Sequence, residues 1–343
     1  MRDKIIRWGI LAVGNIAGTF AEALQDAPGS VLHAAAGRDI GRAEAFAQKH
    51  GAQRCYGCYQ ALLADSEVDA VYIATIHPLH LEWILHALHA GKHVLCENPL
   101  TMNLREAKRA QKVASAKGRL LREAFMYHHH PQIQQVVDLV SSGVLGRVQM
   151  IESSFCFNAG SNLDSRLLSK ALGGGGILDV GCYPLSAARL IAGRAQGRLF
   201  SEPLELKAVG HLGVQEKVDL WSTAVLRFEG DVLAKLTCSI QSQEESTLRI
   251  FGERGELSMG SPWCAAGQIQ LKRDQEQSVE VFEPDTGKHF YAYEIEAFAN
   301  ELRGQPIGPQ AVGMRFDDTL GNMRALDWWR SEIGLGYEAD RVR

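Results

Sequence analysis

The sequence lacks features that would direct the chain to a membrane or a nucleic acid. No apolar run in its 343 residues approaches the roughly 20 residues that a transmembrane helix needs. Residues 1–8 contain no apolar segment of the signal-peptide type. The formal net charge of −4 gives no excess of basic residues for a nucleic acid or an anionic membrane. We therefore expect a cytoplasmic protein with neither kind of partner.

Cysteines are few and scattered, which argues against a disulfide framework or a zinc site. The seven cysteines include a single Cys-x-x-Cys pair, Cys55 and Cys58, without a second pair or a nearby histidine. Reduced thiols in a cytoplasm account for this pattern most simply. We predict no metal site.

Apolar material is ample, since 46% of the residues are hydrophobic and 22% are charged. This composition is typical of a globular protein, and the length suggests two domains. Residues 1–125 alternate short apolar runs with helical patterns, which predicts an α/β domain with a doubly wound parallel sheet. Residues 126–343 contain longer strand patterns separated by turns and two terminal helices. They predict an α+β domain with an open, mostly antiparallel sheet.

The turn after the first predicted strand has the context of a dinucleotide-binding loop. Ala12, Gly14, Asn15 and Ile16 lie between the strand Ile5–Val13 and the following helix. Free backbone N–H groups at the start of a helix bind phosphate. The match is imperfect because Ala12 stands at the first glycine position of the motif, so an ordinary strand-to-helix turn remains the alternative.

The end of the second predicted strand bears on the choice of cofactor. NAD sites usually carry an acid there for the ribose 2′-hydroxyl, but Gly37 and Arg38 precede Asp39. Arg38 is suited to a 2′-phosphate and to stacking on adenine, which favours NADP while leaving NAD possible. In the alternative interpretation, Arg38 is solvated at the start of a helix that Asp39 caps.

A glycine-rich block, Gly173–Tyr183, carries the strongest chemical signal. Its four consecutive glycines allow the backbone to approach another group closely. Asp179 and Tyr183 follow four residues apart, which places both on one face of a helix. A carboxylate beside a phenol suits proton transfer to a bound alcohol or carbonyl. The alternative is a glycine-rich loop before a core helix, with a surface Asp and a buried Tyr.

Four segments in order then resemble the glucose–fructose oxidoreductase / inositol dehydrogenase / MocA (Gfo/Idh/MocA) family. They are Val71–His80, Gly91–Leu100, Glu123–Tyr127 and Gly173–Tyr183, and the likeness extends from about Arg7 to Arg330. Tyr at position 183 is similar to the dimeric dihydrodiol dehydrogenase and xylose dehydrogenase branch.

The resemblance implies a Rossmann domain, a nicotinamide cofactor and a sugar, polyol or related cyclic alcohol as substrate. It implies a homodimer or homotetramer made through the C-terminal sheet. Tyr183 would be the catalytic acid or base, and Asp179 would position the substrate and the phenol. A set of further residues would border the cofactor, with Glu97 near the nicotinamide ribose: Thr75, His77, His80, Glu97 and Asn98.

Two departures from the family pattern concern proton transfer. Asn98 replaces the family lysine of Glu-Lys-Pro; it can donate a hydrogen bond but brings no charge. His128 replaces a common arginine and opens a run of three histidines, of which at most one or two can face a single pocket. We predict catalytic involvement of Asn98 and substrate contact by His128, with a hydrated loop as the alternative for the histidines.

Aromatic residues offer walls for a sugar pocket. Phe155 and Trp263 are predicted to bind substrate, and Trp221 and Phe157 are further candidates; core or interface packing is the alternative for all four. Arg166 is interpreted as a surface residue, with contact to an anionic group of the substrate as the alternative. The leading hypothesis is an NAD(P)-dependent oxidoreductase that uses Tyr183. The alternatives are a redox-assisted glycosidase or lyase with tightly bound NAD(P), and a non-catalytic nucleotide or sugar sensor.

Overall fold

A computed structural model describes residues 4–160, 165–264, 267–274, 276, 278–284, 287–305 and 312–341. The chain forms two compact units. Among the described residues, no helix combines the length and the apolar character required to cross a bilayer.

The first unit is built on a six-stranded parallel sheet with the strand order β3-β2-β1-β4-β5-β6. This is the predicted doubly wound parallel sheet. Its strands are β1 (Ile6–Leu11), β2 (Ser30–Ala36), β3 (Arg54–Tyr56), β4 (Ala70–Ile73), β5 (His93–Glu97) and β6 (Leu121–Ala124). Its α-helices within residues 4–130 are α1 (Asn15–Ala23), α2 (Ile40–His50), α3 (Tyr59–Ala64), α4 (His80–His89), α5 (Leu104–Lys117) and α6 (Met126–His129).

A helix from late in the chain, α9 (Ala292–Leu302), also belongs to the first unit. Phe298 packs its ring 5.1 Å from that of Trp8, and Glu301 forms an ion pair with Arg122. The sequence-based boundary at residue 125 assigns this helix to the second domain. Apolar packing on the parallel sheet instead places it with the first.

The second unit contains an eight-stranded sheet with the order β14-β13-β12-β11-β7-β10-β9-β8. The pair β7 and β10 is parallel and the other pairs are antiparallel, which confirms the mostly antiparallel sheet. The strands are β7 (Val148–Cys156), β8 (Glu205–Leu212), β9 (Asp219–Arg227), β10 (Leu233–Ser239), β11 (Thr247–Gly252), β12 (Gly255–Gly260), β13 (Ile269–Arg273) and β14 (Val279–Phe282). The helices are α7 (Pro131–Ser141), α8 (Cys182–Arg194) and most of α10 (Phe316–Glu332).

One face of this sheet is covered by α8, all of whose residues are buried. The other face carries the exposed apolar side chains that the strand register aligns. They are Met150, Val209, Trp221, Val225, Leu233, Val279 and Val281. Trp221 is therefore an outer-face residue that stacks on His211, with 4.2 Å between ring centroids, and not part of a pocket wall on the α8 side.

Candidate functional site

The β1–α1 turn leaves its backbone open at the point where the motif requires it. Gly14 precedes α1, and a Cβ built on it would meet no heavy atom within 4 Å. Ala12 adopts a positive φ of 75°, a conformation that usually selects glycine. Asn15 and Ile16 begin the helix, with Asn15 exposed. The turn therefore leaves open space beside Gly14, although alanine stands at position 12.

A cavity of about 540 Å³ lies over this turn, beside strands β1 and β4. In the strand order 3-2-1-4, connections leave the sheet in opposite directions at this point, which is where ligands bind in open α/β sheets. Most of its lining comes from the β1–α1 turn, the end of β2 and the loop after β4: Ala12, Val13, Gly14, Gly37, Arg38, Asp39, Arg42, Tyr59, Ala74, Thr75, Ile76 and Leu79.

The cationic end of this cavity contains two arginines. Asp39 caps α2, where its carboxylate accepts a hydrogen bond of 2.8 Å from the Arg42 backbone N–H. Arg38, Arg42 and Tyr59 all line the cavity. Burial raises the pKa of the Tyr59 phenol, and the charges of Arg38 and Arg42 act in the opposite direction. Sequence reasoning named only Arg38. The signal that would have added Arg42 is its position four residues after Arg38, within the first turn of α2.

The loop after β4 holds three of the predicted cofactor residues in different settings. Thr75 lines the cavity. His80 is fully buried, and its two ring nitrogens each lie 3.0 Å from a carbonyl oxygen, of Thr75 and of Pro99. His77 is also buried and packs edge-on against the His80 ring. His80 thus ties the Thr75 loop to the turn after Asn98.

Glu97 and Asn98 lie at the end of β5 in a buried polar cluster. The Tyr72 phenol donates to Glu97, and the Asn98 amide donates to Ala124 O at 2.9 Å. Burial, and then the charge of Glu97, raise the pKa of Tyr72 well above its ordinary value. Burial likewise raises the pKa of Glu294, which Glu97 also faces. Asn98, which replaces the family lysine, is thus held by the carbonyl oxygen of Ala124. The nearby Tyr72 and Glu294 have raised pKa values, which favour their protonated forms.

In the second unit, the glycine block is folded against the chain itself. Gly173 and Gly175 have φ values of 71° and 113°. A Cβ on Gly174 would lie 2.3 Å from Leu167 O, so only glycine fits there. A regular helix over the whole block, which the four-residue spacing assumes, does not form, because residues 173–175 are not helical. A π-helical turn, Ile177–Gly181, precedes α8, and the wider turn changes the facing that a regular helix would give to Asp179 and Tyr183.

Asp179 has a cationic partner that the sequence analysis assigned to the surface. Arg166 Nη2 lies 2.9 Å from Asp179 Oδ1, and the arginine remains partly exposed while the aspartate is largely buried. Burial raises the pKa of Asp179, and the Arg166 charge and hydrogen bond oppose that rise. No short-range sequence pattern links the two, because the intervening glycine turns bring them together.

Tyr183 is 7% exposed and lies in an aromatic cluster on the α8 side of the sheet. Its ring centroid is 5.3 Å from that of Phe155 and 5.9 Å from that of Trp263. Trp263 is buried and donates from Nε1 to Ser154 O at 2.9 Å. Phe157 lies farther along, with its ring 6.5 Å from Phe155. The structure thus brings Phe155 and Trp263 together with Tyr183, as neighbours in the packing.

The three histidines after Tyr127 face different surroundings within the first unit. His128 is buried and packs edge-on against Tyr127 at 4.5 Å. Burial lowers the pKa of His129 to about 3. His130 stacks on Phe290 at 4.4 Å. The rings of His128 and His130 therefore pack against different groups.

Among the described residues, one group of His, Asp and Glu side chains has the proximity of a metal site: His33, Asp65 and Glu67. Its carboxylates are already bound by donors. Arg54 contacts both acids, and Tyr56 donates to Asp65 at 2.9 Å. Despite burial, these bonds lower the pKa of Asp65 to about 2. An ion-pair network explains the group without a metal.

Comparison with known proteins gives a consistent picture. Residues 6–125 match the family described as "Oxidoreductase family, NAD-binding Rossmann fold", and residues 133–258 match the "GFO/IDH/MocA C-terminal domain". The chain is similar to D-xylose 1-dehydrogenase (NADP(+)) 2 of Haloferax volcanii, with 33% identity covering 90% of this chain and 91% of that protein. It is also similar to human trans-1,2-dihydrobenzene-1,2-diol dehydrogenase, with 33% identity covering 98% and 99%.

A solved structure is similar over almost the whole length. It is a 3-ketoreductase from Actinomadura kijaniata in complex with NADP and TDP-benzene, with a TM-score of 0.85, 30% identity, and coverage of 96% of this chain and 98% of that one. These relatives confirm the resemblance and the branch that the sequence motifs indicated.

Proposed function

Because the chain belongs to the GFO/IDH/MocA oxidoreductase family, we propose that it is an NADP-dependent oxidoreductase acting on a sugar, polyol or related cyclic alcohol. The observation that carries the proposal is the cavity over Gly14. Beside Gly14 the backbone is open to the phosphates of a dinucleotide, and arginines line the end that would hold the 2′-phosphate, which NAD lacks. The bound cofactor would supply a hydride from nicotinamide C4 as NADPH, or accept one there as NADP+.

The preference for NADP rests on which side chains are available. Asp39, the acid nearest the end of β2, is engaged as the α2 cap. Arg38 and Arg42 both line the cavity, and a guanidinium binds phosphate in a bidentate manner. The same end of the cavity offers the buried Tyr59 ring as a further contact. NAD lacks the 2′-phosphate that this pair of cations would neutralise.

Proton transfer is assigned to Tyr183. Its phenol would donate to or accept from the substrate oxygen while the hydride moves. Asp179 and its partner Arg166, at 2.9 Å, would orient substrate hydroxyls from the adjacent turn. The names of the relatives support the substrate class, since they include a D-xylose dehydrogenase and a dihydrodiol dehydrogenase.

Asn98 supports a second candidate function. Its amide is neutral and donates to Ala124 O, so it does not provide the cation expected beside the reacting oxygen. A redox-assisted glycosidase or lyase would take a hydride from the substrate and return it within one cycle, without net oxidation. A nucleotide or sugar sensor would need no catalysis at all.

We extend the proposal to assembly through the outer face of the eight-stranded sheet. The exposed side chains Trp221, Val225 and Leu233 lie on neighbouring strands β9 and β10, and such a patch is typical of a protein interface. A second copy of this chain is the proposed occupant, in a homodimer or homotetramer. Sedimentation of the full chain as a monomer would contradict it.

The seven free cysteines fit a cytoplasmic location.

The experiment that tests the main proposal follows absorbance at about 340 nm while NADP or NADPH is incubated with aldoses, polyols, ketosugars and cyclic diols. We expect the absorbance to change in step with product. Product without an absorbance change would support the lyase. Nucleotide binding without any product would support the sensor.

The variant Tyr183→Phe is expected to lower kcat by about 10²–10⁴, because it removes the acid or base and keeps the ring. Its nucleotide dissociation constant should stay at the wild-type value. Tyr56→Phe, which loses a hydrogen bond to Asp65 in the first unit, is the matched control. Full activity of Tyr183→Phe would remove the assigned role.

A further inference from the structure

Two buried side chains from elsewhere in the sequence, a carboxyl group and a phenol, form hydrogen bonds with the backbone of the glycine block. Asp219 is fully buried, and its Oδ2 accepts a hydrogen bond of 2.6 Å from the backbone N–H of Ile177. The phenol of Tyr337 donates to the carbonyl oxygen of Gly174. These two contacts lie at the two ends of the short segment Gly174–Ile177.

The same two side chains fill the space that the glycines leave. A Cβ on Gly175 would lie 2.3 Å from Asp219 Oδ1 and 2.9 Å from the Tyr337 hydroxyl. A Cβ on Gly176 would lie 3.3 Å from Asp219 Oδ2. Gly175 is therefore required by the chain's own acid and phenol, whereas a Cβ on Gly176 would make only a tight contact with the acid.

Tyr337 is itself fixed by further groups. Its ring lies under the Arg330 guanidinium, 5.2 Å from the ring centroid, and its backbone N–H donates to Asp340 Oδ2 at 2.8 Å. Arg330 and Asp340 form an ion pair of 2.8 Å. The phenol is thus anchored in a core that includes Leu178 of the π-helical turn.

Asp219 retains an unused acceptor. Among the described atoms its Oδ1 has no hydrogen-bond partner, although it is buried. A fully buried carboxyl with one such oxygen is costly unless its other oxygen makes strong bonds. We therefore interpret Asp219 as a residue that holds the backbone at Ile177 in place, and not as one that stabilises the sheet.

We propose that Asp219 and Tyr337 are positioning residues: they clamp Gly174–Ile177 and so set the places of Asp179 and Tyr183 for proton transfer. The inference rests on the proposed function for its catalytic consequence, whereas the clamp itself is a property of the backbone. Neither residue touches substrate. Both act through the turn that leads into α8.

The test combines hydrogen exchange with kinetics on the full chain. Asp219→Ala and Tyr337→Phe each remove one contact, and Asp219→Asn keeps an acceptor oxygen for Ile177 N–H. We expect amides of residues 174–183 to exchange about tenfold faster in the first two variants and near the wild-type rate in Asp219→Asn. Asp231→Asn, at an exposed turn position, is the control.

In the kinetic arm, Asp219→Ala and Tyr337→Phe should lower kcat about tenfold or more while KM for the nucleotide stays within about twofold, because misplacement by about 1 Å is sufficient for such a loss. Asp219→Asn should recover most of the kcat. Unchanged exchange in Tyr337→Phe and in a folded Asp219→Ala would overturn the clamp. Faster exchange with wild-type kcat would overturn its role in positioning. If no substrate is turned over by the wild type, the proposed function fails, while the exchange arm still decides the clamp.

Discussion

The glycines of the two units meet opposite surroundings. Around Gly14 in the first unit, the position of a Cβ is empty to at least 4 Å. Around Gly174 and Gly175 in the second, the same position is filled by a backbone oxygen and by Asp219, each 2.3 Å away. Both motifs suggest close approach of the backbone to something. In the first unit the space is available to a ligand, and in the second the chain itself occupies it.

The most direct test of this difference is to add one methyl group at Gly175 and one at Gly14. Gly175→Ala should lower the free energy of unfolding by about 3–5 kcal/mol, because it combines a φ of 113° with overlap against a buried carboxyl. Gly14→Ala should change it by less than about 1 kcal/mol, since its φ is −90°.

Gly14→Ala should instead weaken nucleotide binding, because the methyl group enters the phosphate site. Urea unfolding and nucleotide titration of both variants provide the measurement. Equal destabilisation by the two substitutions would show that the spaces around the two glycines do not differ.

The units also differ in how their buried groups respond to pH. Burial raises the pKa of Asp219 to about 7 from 3.8, against backbone hydrogen bonds and the Arg330 charge. The native state therefore keeps a proton that the unfolded chain has lost, and this stabilisation disappears as the pH rises towards 7. Relative to Asp219→Asn, the wild type should lose about 2 kcal/mol of unfolding free energy between pH 5 and pH 7.

His93 in the first unit should show the opposite slope. Burial lowers its pKa to about 4 from 6.5, and its Nδ1 accepts from Leu120 N–H at 2.9 Å, which requires the neutral ring. Its stabilisation is complete above pH 6.5 and is lost as the pH falls towards 4. His93→Asn keeps an acceptor but does not titrate. Denaturation at several pH values gives the free energy of unfolding of each variant and of the wild type. If a variant and the wild type show the same dependence of this free energy on pH, the role assigned to that residue is refuted.

The smallest effect concerns the choice of nucleotide. Arg38→Ala should weaken NADP binding about tenfold, or about 1.4 kcal/mol, and leave NAD binding unchanged. Arg109→Ala, exposed on α5 of the same unit, is the matched control. Tryptophan fluorescence or calorimetric titration with the two nucleotides is the measurement. An equal loss for NAD and NADP would assign Arg38 to the shared part of the cofactor.

Much of the fold follows from sequence periodicity. Alternating apolar runs and helical patterns predict the strands β1, β2, β4, β5 and β6 with the helices between them, because each element buries one face or is buried entirely. The short strand β3 and helix α3 were missed, since three to six residues carry little periodic signal. The strands β12 and β14 were also missed; the four residues of β14 are mostly exposed.

The candidate site was predictable only where it depends on local turns. Gly14 and Arg38 are set by the strand-to-helix geometry of a few neighbouring residues. The clamp is different, because Asp219 and Tyr337 lie 42 and 163 residues from the backbone atoms they bind. No pattern in a single sequence pairs such distant positions.

The sequence alone determined the kinds of elements, the dinucleotide-type turn and the identity of the acid and the phenol. Those properties depend on neighbours along the chain, where propensity and apolar spacing act directly. The tertiary structure decided that Arg166 joins Asp179, that Trp221 faces outward, and that Gly175 and Gly176 pack against Asp219, with Tyr337 also beside Gly175. Contacts of this kind depend on how strands and turns are brought together in space, and one-dimensional spacing does not encode that.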